Sequence, residues 1–113
     1  MARRKRTSAD LLFVGTRGHV RAVSKRTGRL AWDLSLPGTG YEVVTILVED
    51  DVVYAGSRGH LFAIHAISGE LLWQNGLKGL GYEPLTLATV SGSNHDQVLV
   101  QVRAKEAERA RRR

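Results

Sequence analysis

Hydrophobic residues occur along this chain in short runs that are separated by turn signals. Two runs of four residues, Leu11–Val14 and Val52–Ala55, are each followed by a glycine and have the length of buried β-strands. Two others, Val43–Glu49 and Pro84–Val90, are rich in β-branched residues, which favour strands. No segment before residue 103 has the length and the periodicity of a helix. The pattern therefore predicts an all-β fold.

Each of the two early runs is followed by two further predicted strands. The first of these covers Val20–Ser24 and, later in the chain, Leu61–His65, and each ends near a Thr-Gly or Ser-Gly turn. The second covers Arg29–Leu36 and, later, Glu70–Leu77, and each copy carries a tryptophan. The same order of strands and turns is therefore present twice.

The chain repeats itself at an offset of 41 residues. Residues 10–49 and 51–90 share 15 identities in 40 aligned positions. A period of roughly 40 to 45 residues with four strands per unit is typical of propeller blades. We therefore predict antiparallel four-stranded blades, about two per chain.

The turn before each tryptophan carries a family resemblance. The two motifs are Ala22-x-Ser24-x-x-Thr27-Gly28-x-x-x-Trp32 and Ala63-x-His65-x-x-Ser68-Gly69-x-x-x-Trp73. They resemble the tryptophan-docking motif of quinoprotein (PQQ-type) β-propellers, A-x-D-x-x-T/S-G-x-x-x-W, with Ser24 and His65 at the position of the usual Asp. The resemblance covers residues 10–102. It implies that each tryptophan packs on the neighbouring blade and holds the two blades together.

The resemblance also implies which strands of each blade are present. With strand A innermost and strand D outermost, residues 11–36 supply B, C and D of a first blade, and residues 43–77 supply all four strands of a second. Residues 84–90 and 97–102 supply A and B of a third. Because rings of this family have six to eight blades, we expect a cyclic homo-oligomer of three or four copies, in which a strand A near the carboxyl end completes the first blade of the next copy. An open filament and a fragment of a longer chain are the alternatives.

The net charge of +6 belongs to the two ends of the chain. Residues 1–8 hold four basic residues and no acid, and residues 103–113 hold six bases and two acids, whereas the body has seven bases and nine acids. Such ends either solubilise the chain or bind nucleic acid. We divide the chain into a basic arm (1–9), a two-blade module (10–102, with repeats 10–49 and 51–90 and a partial third over 91–102) and a basic tail (103–113) with the composition of a short helix.

Several kinds of chemistry lack the residues they need. The chain has no cysteine, which excludes disulfides and thiol chemistry, and His19, His60, His65 and His95 have no spacing that would bring three metal ligands together. Dehydrogenases of the quinoprotein family use a whole ring, a quinone, a calcium ion and a catalytic Asp. We therefore expect no enzyme, no cofactor and no metal. With no signal peptide and no apolar stretch of about 20 residues, we also expect a cytoplasmic protein without membrane contact.

Two turn motifs recur in both repeats and give a candidate binding site. Arg17-Gly18-His19 recurs as Arg58-Gly59-His60, and Gly38-x-Gly40-Tyr41-Glu42 recurs as Gly79-x-Gly81-Tyr82-Glu83. In a blade, the B-to-C turn and the D-to-A connection lie on the same face, so we expect these motifs to meet at one mouth of the channel. The candidate ligand-binding residues, which suit a small anionic or polar ligand, are Arg17, His19, Tyr41, Glu42, Arg58, His60, Tyr82 and Glu83. A purely structural role, in which Arg pairs with Glu across the turn and Tyr covers the blade edge, explains the same residues.

These observations predict a non-enzymatic β-propeller module that self-associates into a closed ring. It would serve as an interaction scaffold for a protein partner or for a small polar ligand at the channel mouth. The alternatives are a nucleic-acid-binding protein that uses its basic arms and a degenerate fragment of a quinoprotein-type enzyme.

Overall fold

The computed structural model describes residues 6–93, 103 and 105–111 of the chain. The strands are β1 (Leu11–Thr16), β2 (His19–Ser24), β3 (Leu30–Ser35), β4 (Thr45–Glu49), β5 (Val52–Ser57), β6 (His60–His65), β7 (Leu71–Asn75), β8 (Ala88–Thr89) and β9 (Gly92–Ser93). A three-residue 3₁₀ turn, Ser8–Asp10, precedes β1. The order β1-β2-β3 forms a three-stranded antiparallel sheet, and β4-β5-β6-β7 forms a four-stranded one. The prediction of an all-β fold built from antiparallel blades is confirmed.

Two-residue turns fix the register within each sheet. Arg17-Gly18, Asp50-Asp51 and Arg58-Gly59 have positive φ at both positions. This is the conformation of type I′ turns, whose twist matches that of the flanking strands. The pairing of β1 with β2 is therefore repeated, residue for residue at an offset of 41, in the pairing of β5 with β6.

The hydrophobic core is formed by residues of both sheets and of their connection. Gly15 in β1 allows a close approach, because a Cβ atom there would lie 3.0 Å from the side chains of Ile46 and Val44. The core lies between the two sheets, because a single sheet can bury an apolar face only against another layer. Its buried members are Leu11, Val20, Ala22, Trp32, Leu36, Val44, Val53, Ala55, Phe62, Ile64 and Ala66.

A third unit follows the second sheet. Within the predicted strand over Pro84–Val90, Ala88 and Thr89 form β8 and lie opposite Ser93 and Gly92 of β9. The predicted partner strand over 97–102, residues 1–5 of the basic arm and His95 lie outside the described residues.

Residues 105–111 form a short helix, α1, within the basic tail. The Nζ atom of Lys105 donates a hydrogen bond of 2.6 Å to Glu42 Oε2, which attaches the helix to the turn before β4. In the part of the chain that the structure describes, no helix has both the length and the apolar character that crossing a membrane requires.

Candidate functional site

Trp32 joins the two sheets through a specific contact. Its side chain is 9% exposed, and its Nε1 atom donates a hydrogen bond of 2.9 Å to the carbonyl oxygen of Ala66. The indole ring lies directly against Gly69, where a Cβ atom would lie 2.6 Å from it. Within the first sheet, the ring centroid of Phe13 lies 6.2 Å from that of Trp32. A tryptophan of the first sheet is thus held by the turn between β6 and β7 of the second.

That receiving turn is shaped by its own hydrogen bonds. The N–H of Gly69 donates to the carbonyl oxygen of His65 at 2.9 Å, and the N–H of Ser68 donates to Nδ1 of His65 at 3.2 Å. In the first repeat, the N–H of Thr27 donates to Ser24 Oγ at 3.3 Å. Ser24 and His65 therefore both accept the bond for which the usual Asp of the motif is suited. The substitutions leave the turn intact, and with it the carbonyl that accepts from tryptophan.

The second tryptophan and the first turn have no such partner. The ring centroids of Trp73 and Tyr54 lie 6.3 Å apart, close to the 6.2 Å between Trp32 and Phe13 in the first repeat. Trp73 is nevertheless 46% exposed. Its indole N–H has no hydrogen-bond acceptor among the described residues. Gly28 has the same left-handed backbone as Gly69, with φ of 74° and 78°, yet no atom lies within 4 Å of the place a Cβ would occupy. Trp73, which contacts no receiving turn among the described residues, therefore lies on the second sheet, and the turn at Gly28, which receives no tryptophan, lies on the first.

The sheet faces beside these groups show the same asymmetry. Leu12 and Val14 of β1 are 54% and 39% exposed, whereas the residues at the equivalent positions of β5, Val53 and Ala55, are fully buried in the core. We call Leu12, Val14, Val23 and Gly28 the receiving face of the first sheet. We call Tyr54 and Trp73 the donor face of the second. Both faces present apolar groups that the chain itself does not cover with described residues.

A polar cluster lies on the receiving face. Asp33 accepts a hydrogen bond from Arg21 Nε at 2.9 Å and lies 3.2 Å from His19 Nδ1. Burial raises the pKa of Asp33, but the hydrogen bonds and charges of Arg21 and His19 outweigh this and lower the pKa below its ordinary value. At the position equivalent to Arg21, the second sheet has the fully buried Phe62. The receiving face therefore carries a charged side chain at a position where the equivalent face of the second sheet has a buried aromatic ring.

The two repeated turn motifs lie against each other in each repeat. The N–H of Gly18 donates to the carbonyl oxygen of Glu42 at 2.9 Å, and its own carbonyl accepts from Leu36 at 2.7 Å. The backbones approach so closely that a Cβ at Gly18 would lie 2.0 Å from the carbonyl oxygen of Gly40. The second repeat has the same approach, with 1.9 Å between a Cβ at Gly59 and the Gly81 oxygen. Glycine is required here by backbone contact.

The arginines of these turns contact tyrosine. The guanidinium of Arg17 lies 5.2 Å from the ring centroid of Tyr41, and that of Arg58 lies 5.2 Å from Tyr82. These are cation–π contacts. In the first repeat, Glu42 is hydrogen-bonded to Lys105, and in both repeats the arginine of the turn contacts the tyrosine ring.

The predicted binding residues divide between two pockets. The first, of about 520 Å³, is lined by Arg17, His19 and Tyr41 together with Arg21. The second, of about 460 Å³, lies between the second sheet and α1. Four predicted residues and two further cations line it, namely Glu42, Arg58, Tyr82, Glu83, Lys105 and Arg109.

The two cations of α1 are not among the residues predicted from the sequence, although their spacing places them together. Lys105 and Arg109 are four residues apart and share one side of the helix. His60 lines neither pocket, and its Nδ1 atom is buried without a hydrogen-bond partner in the described structure.

Residues 9–110 match the model of a PQQ-type repeat family described as outer membrane protein assembly factor BamB. The chain belongs to this family. No curated protein matches the chain. Membership in the PQQ-type repeat family agrees with the two stacked antiparallel sheets, and we refer to them from here on as blade 1 and blade 2.

The described residues of these blades contain no group of three His, Cys, Asp or Glu side chains that is suited to hold a metal ion.

Proposed function

We propose that this chain is a non-enzymatic propeller module that associates head to tail with further copies into a closed ring, and that the ring serves as an interaction scaffold. The observation that supports the proposal is the contrast between its two tryptophans. Trp32 is held by the neighbouring blade, whereas Trp73, at the same position of the repeat, is 46% exposed. In a second copy, Lys25 and Gly28 are the equivalents of Ala66 and Gly69.

The proposed interface repeats a contact that the chain already makes internally. Trp73 of one copy lies against Gly28 of the next, and its indole N–H donates to the carbonyl oxygen of Lys25. Tyr54 then packs on the apolar part of the receiving face, as Phe13 packs in the core. Burial of a large aromatic ring with its N–H satisfied is a strong source of affinity.

The two faces differ, so the association is heterologous. A heterologous contact generates either a closed ring or an open filament, depending on the rotation between copies. The internal contact supplies that rotation, because blade 1 and blade 2 are already related as neighbours in a propeller. With two blades per copy and six to eight blades in rings of the family, three or four copies close the ring.

A mixing experiment tests the head-to-tail arrangement. Trp73→Ala removes the donor face and keeps the receiving face, whereas Leu12→Asp places a charge on the receiving face and keeps the donor face. Each variant alone is expected to be monomeric by light scattering. A mixture of the two retains one intact interface and is expected to form a one-to-one dimer. Circular dichroism of each variant checks that the fold is retained.

The outcomes separate the arrangements. A dimer in the mixture and monomers in the separate samples support the proposal. Larger assemblies of Trp73→Ala alone, or a mixture that stays monomeric while the wild-type chain assembles, would overturn the head-to-tail arrangement.

We infer a second role, binding of a small polar or anionic ligand, from the pocket beside α1. Arg58, Lys105 and Arg109 line a space of about 460 Å³ together with Glu42, Glu83 and Glu106. The hydrogen bond from Lys105 lowers the pKa of Glu42, burial opposes this, and the charges of Lys105, Arg58 and Arg109 lower the pKa further. Titration calorimetry with inorganic phosphate and with citrate tests this role. Binding that is lost in Arg58→Ala and retained in Arg17→Ala, each at unchanged thermal stability, supports it, because Arg17 lines the other pocket. Absence of binding to the wild-type chain, or unfolding of Arg58→Ala, would overturn it.

A further inference from the structure

β1 lies at the inner edge of blade 1, and no described strand pairs with it on its inner side. Among the described residues, β1 pairs only with β2, whereas the equivalent strand of blade 2, β5, pairs with β6 on one side and with β4 on the other. Five residue pairs join β4 to β5. Blade 1 is therefore one strand short at its inner edge, and the backbone groups along that edge form a template for strand addition.

A segment of the chain already occupies the inner-strand position of the blade that would follow blade 2. The hydroxyl of Thr45 donates to the carbonyl oxygen of Leu85 at 2.9 Å, and the hydroxyl of Thr89 donates to Glu49. Both contacts have an offset of 40 residues, so residues 85–89 run parallel to β4. Leu85 also packs on Gly56, as Val44 packs on Gly15 one repeat earlier.

Among the described residues, Ala88 and Thr89 of this segment lie opposite Ser93 and Gly92 in the ladder of β8 with β9. The equivalent inner strand of blade 2, β4, pairs with β5 over five residue pairs. Pairing with β1 would give the segment a ladder of the same length as that of β4 with β5.

We propose that residues 86–90 of one copy pair antiparallel with β1 of the next copy and complete its blade 1. The proposal rests on the proposed head-to-tail assembly and specifies its strand register. Applying the 41-residue offset to the pairing of β4 with β5 places Thr89 opposite Leu12 and Leu87 opposite Val14. β9 leaves β8 when the assembly forms.

Disulfide trapping tests this register, because the natural chain has no cysteine. The four single variants Leu12→Cys, Val14→Cys, Leu87→Cys and Thr89→Cys are made separately and mixed in pairs, so every hetero-disulfide joins two copies. Directly opposed residues have Cα atoms about 4.5 to 5.5 Å apart, within the limit of roughly 7 Å for a disulfide, whereas diagonal neighbours lie at about 7 to 8 Å. The mixtures of positions 12 with 89 and 14 with 87 are expected to cross-link. The matched diagonal mixtures, 12 with 87 and 14 with 89, are the controls.

Mass spectrometry of the oxidised mixtures, together with light scattering of the same samples, separates the two proposals. Several-fold more hetero-disulfide in the opposed than in the diagonal mixtures supports the register. Assemblies with equal or absent cross-linking in all four mixtures would overturn the strand pairing and leave the association through Trp73 standing. Monomers without cross-links, in the wild-type chain as well, would overturn both.

Discussion

At the scale of single residues, Gly28 and Gly69 have the same backbone conformation but different surroundings. Comparing substitutions at the two positions therefore isolates the contribution of the tryptophan contact. Both have φ near 75°, where any side chain adds strain of about 1 to 2 kcal/mol. Only Gly69 lies against an indole ring within the same chain. The pair therefore separates the effect of backbone strain from that of docking.

We expect Gly69→Ala to destabilise the monomer more than Gly28→Ala does. A Cβ at position 69 lies within 2.6 Å of Trp32 and must displace it, whereas a Cβ at position 28 meets no atom within 4 Å. Urea denaturation at a concentration where the chain is monomeric measures both. Equal losses of stability would mean that the ring of Trp32 is free to move away from the turn. Gly28→Ala is in turn expected to weaken assembly.

The two tryptophans are expected to respond differently to truncation. Trp32→Ala removes a buried ring and should reduce the free energy of unfolding by about 3 to 5 kcal/mol. Trp73→Ala removes a half-exposed ring and should reduce the stability of the monomer less, because less buried surface is lost. The comparison is made by denaturation of both variants under the same dilute conditions. A loss for Trp73→Ala as large as that for Trp32→Ala would show that Trp73 is already docked within its own chain.

Individual residues were predictable from the sequence where a motif repeats and unpredictable where the partner is distant. The positions of Trp32, Gly69 and the two Arg-Gly turns follow from the repeat alone. That Arg17 contacts Tyr41 does not, because cation–π geometry depends on how two turns approach. The role of Lys105 was not visible either, since its partner lies 63 residues away.

At the scale of elements, α1 is joined to blade 2 by a contact that can be titrated. The hydrogen bond from Lys105 lowers the pKa of Glu42, burial opposes this, and the charges of Lys105, Arg58 and Arg109 lower the pKa further. The net pKa lies below the ordinary value of 4.5. The contact therefore stabilises the fold at pH values above the ordinary one and is lost as the pH falls through the lower value of the folded state.

We expect Lys105→Ala to raise the pKa of Glu42 toward 4.5, the ordinary value, because the variant removes both the hydrogen bond and the nearest charge. NMR titration of the Glu42 carboxyl in the two chains gives the comparison. Lys78→Ala, which changes a lysine outside the pocket lining, is the matched control and should leave the titration unchanged. An identical midpoint in Lys105→Ala and the wild-type chain would show that α1 does not hold this position in solution.

The strands themselves followed the sequence pattern closely, with one informative exception. β1 to β7 fall within a residue or two of the predicted runs, because each has both local turn chemistry and a partner strand. The predicted strand over 84–90 reduces to β8 in the described structure. Hydrophobic pattern predicts where a strand forms, and a second strand decides how much of it is paired.

At the scale of the whole molecule, two blades leave two unlike apolar faces at the ends of the stack. A repeat that buries its core only by stacking requires a cap or a further unit at each end. Among the described residues, the first blade has an exposed receiving face and the second has an exposed tryptophan, and the proposed assembly buries these surfaces against each other. The repeat predicted that further blades are required, whereas the unlike exposure of Trp32 and Trp73 is visible only in the folded structure. Nucleic-acid binding by the basic ends stays a separate prediction, tested by the salt dependence of binding with and without those ends.

The most direct test of head-to-tail assembly is the molar mass of the wild-type chain, measured by light scattering coupled to size-exclusion chromatography over a range of concentrations. The monomer has a mass of 12.5 kDa. Head-to-tail assembly predicts one discrete species of three or four copies, which becomes a monomer in the Trp73→Ala variant. A wild-type chain that stays at 12.5 kDa at every concentration would contradict it.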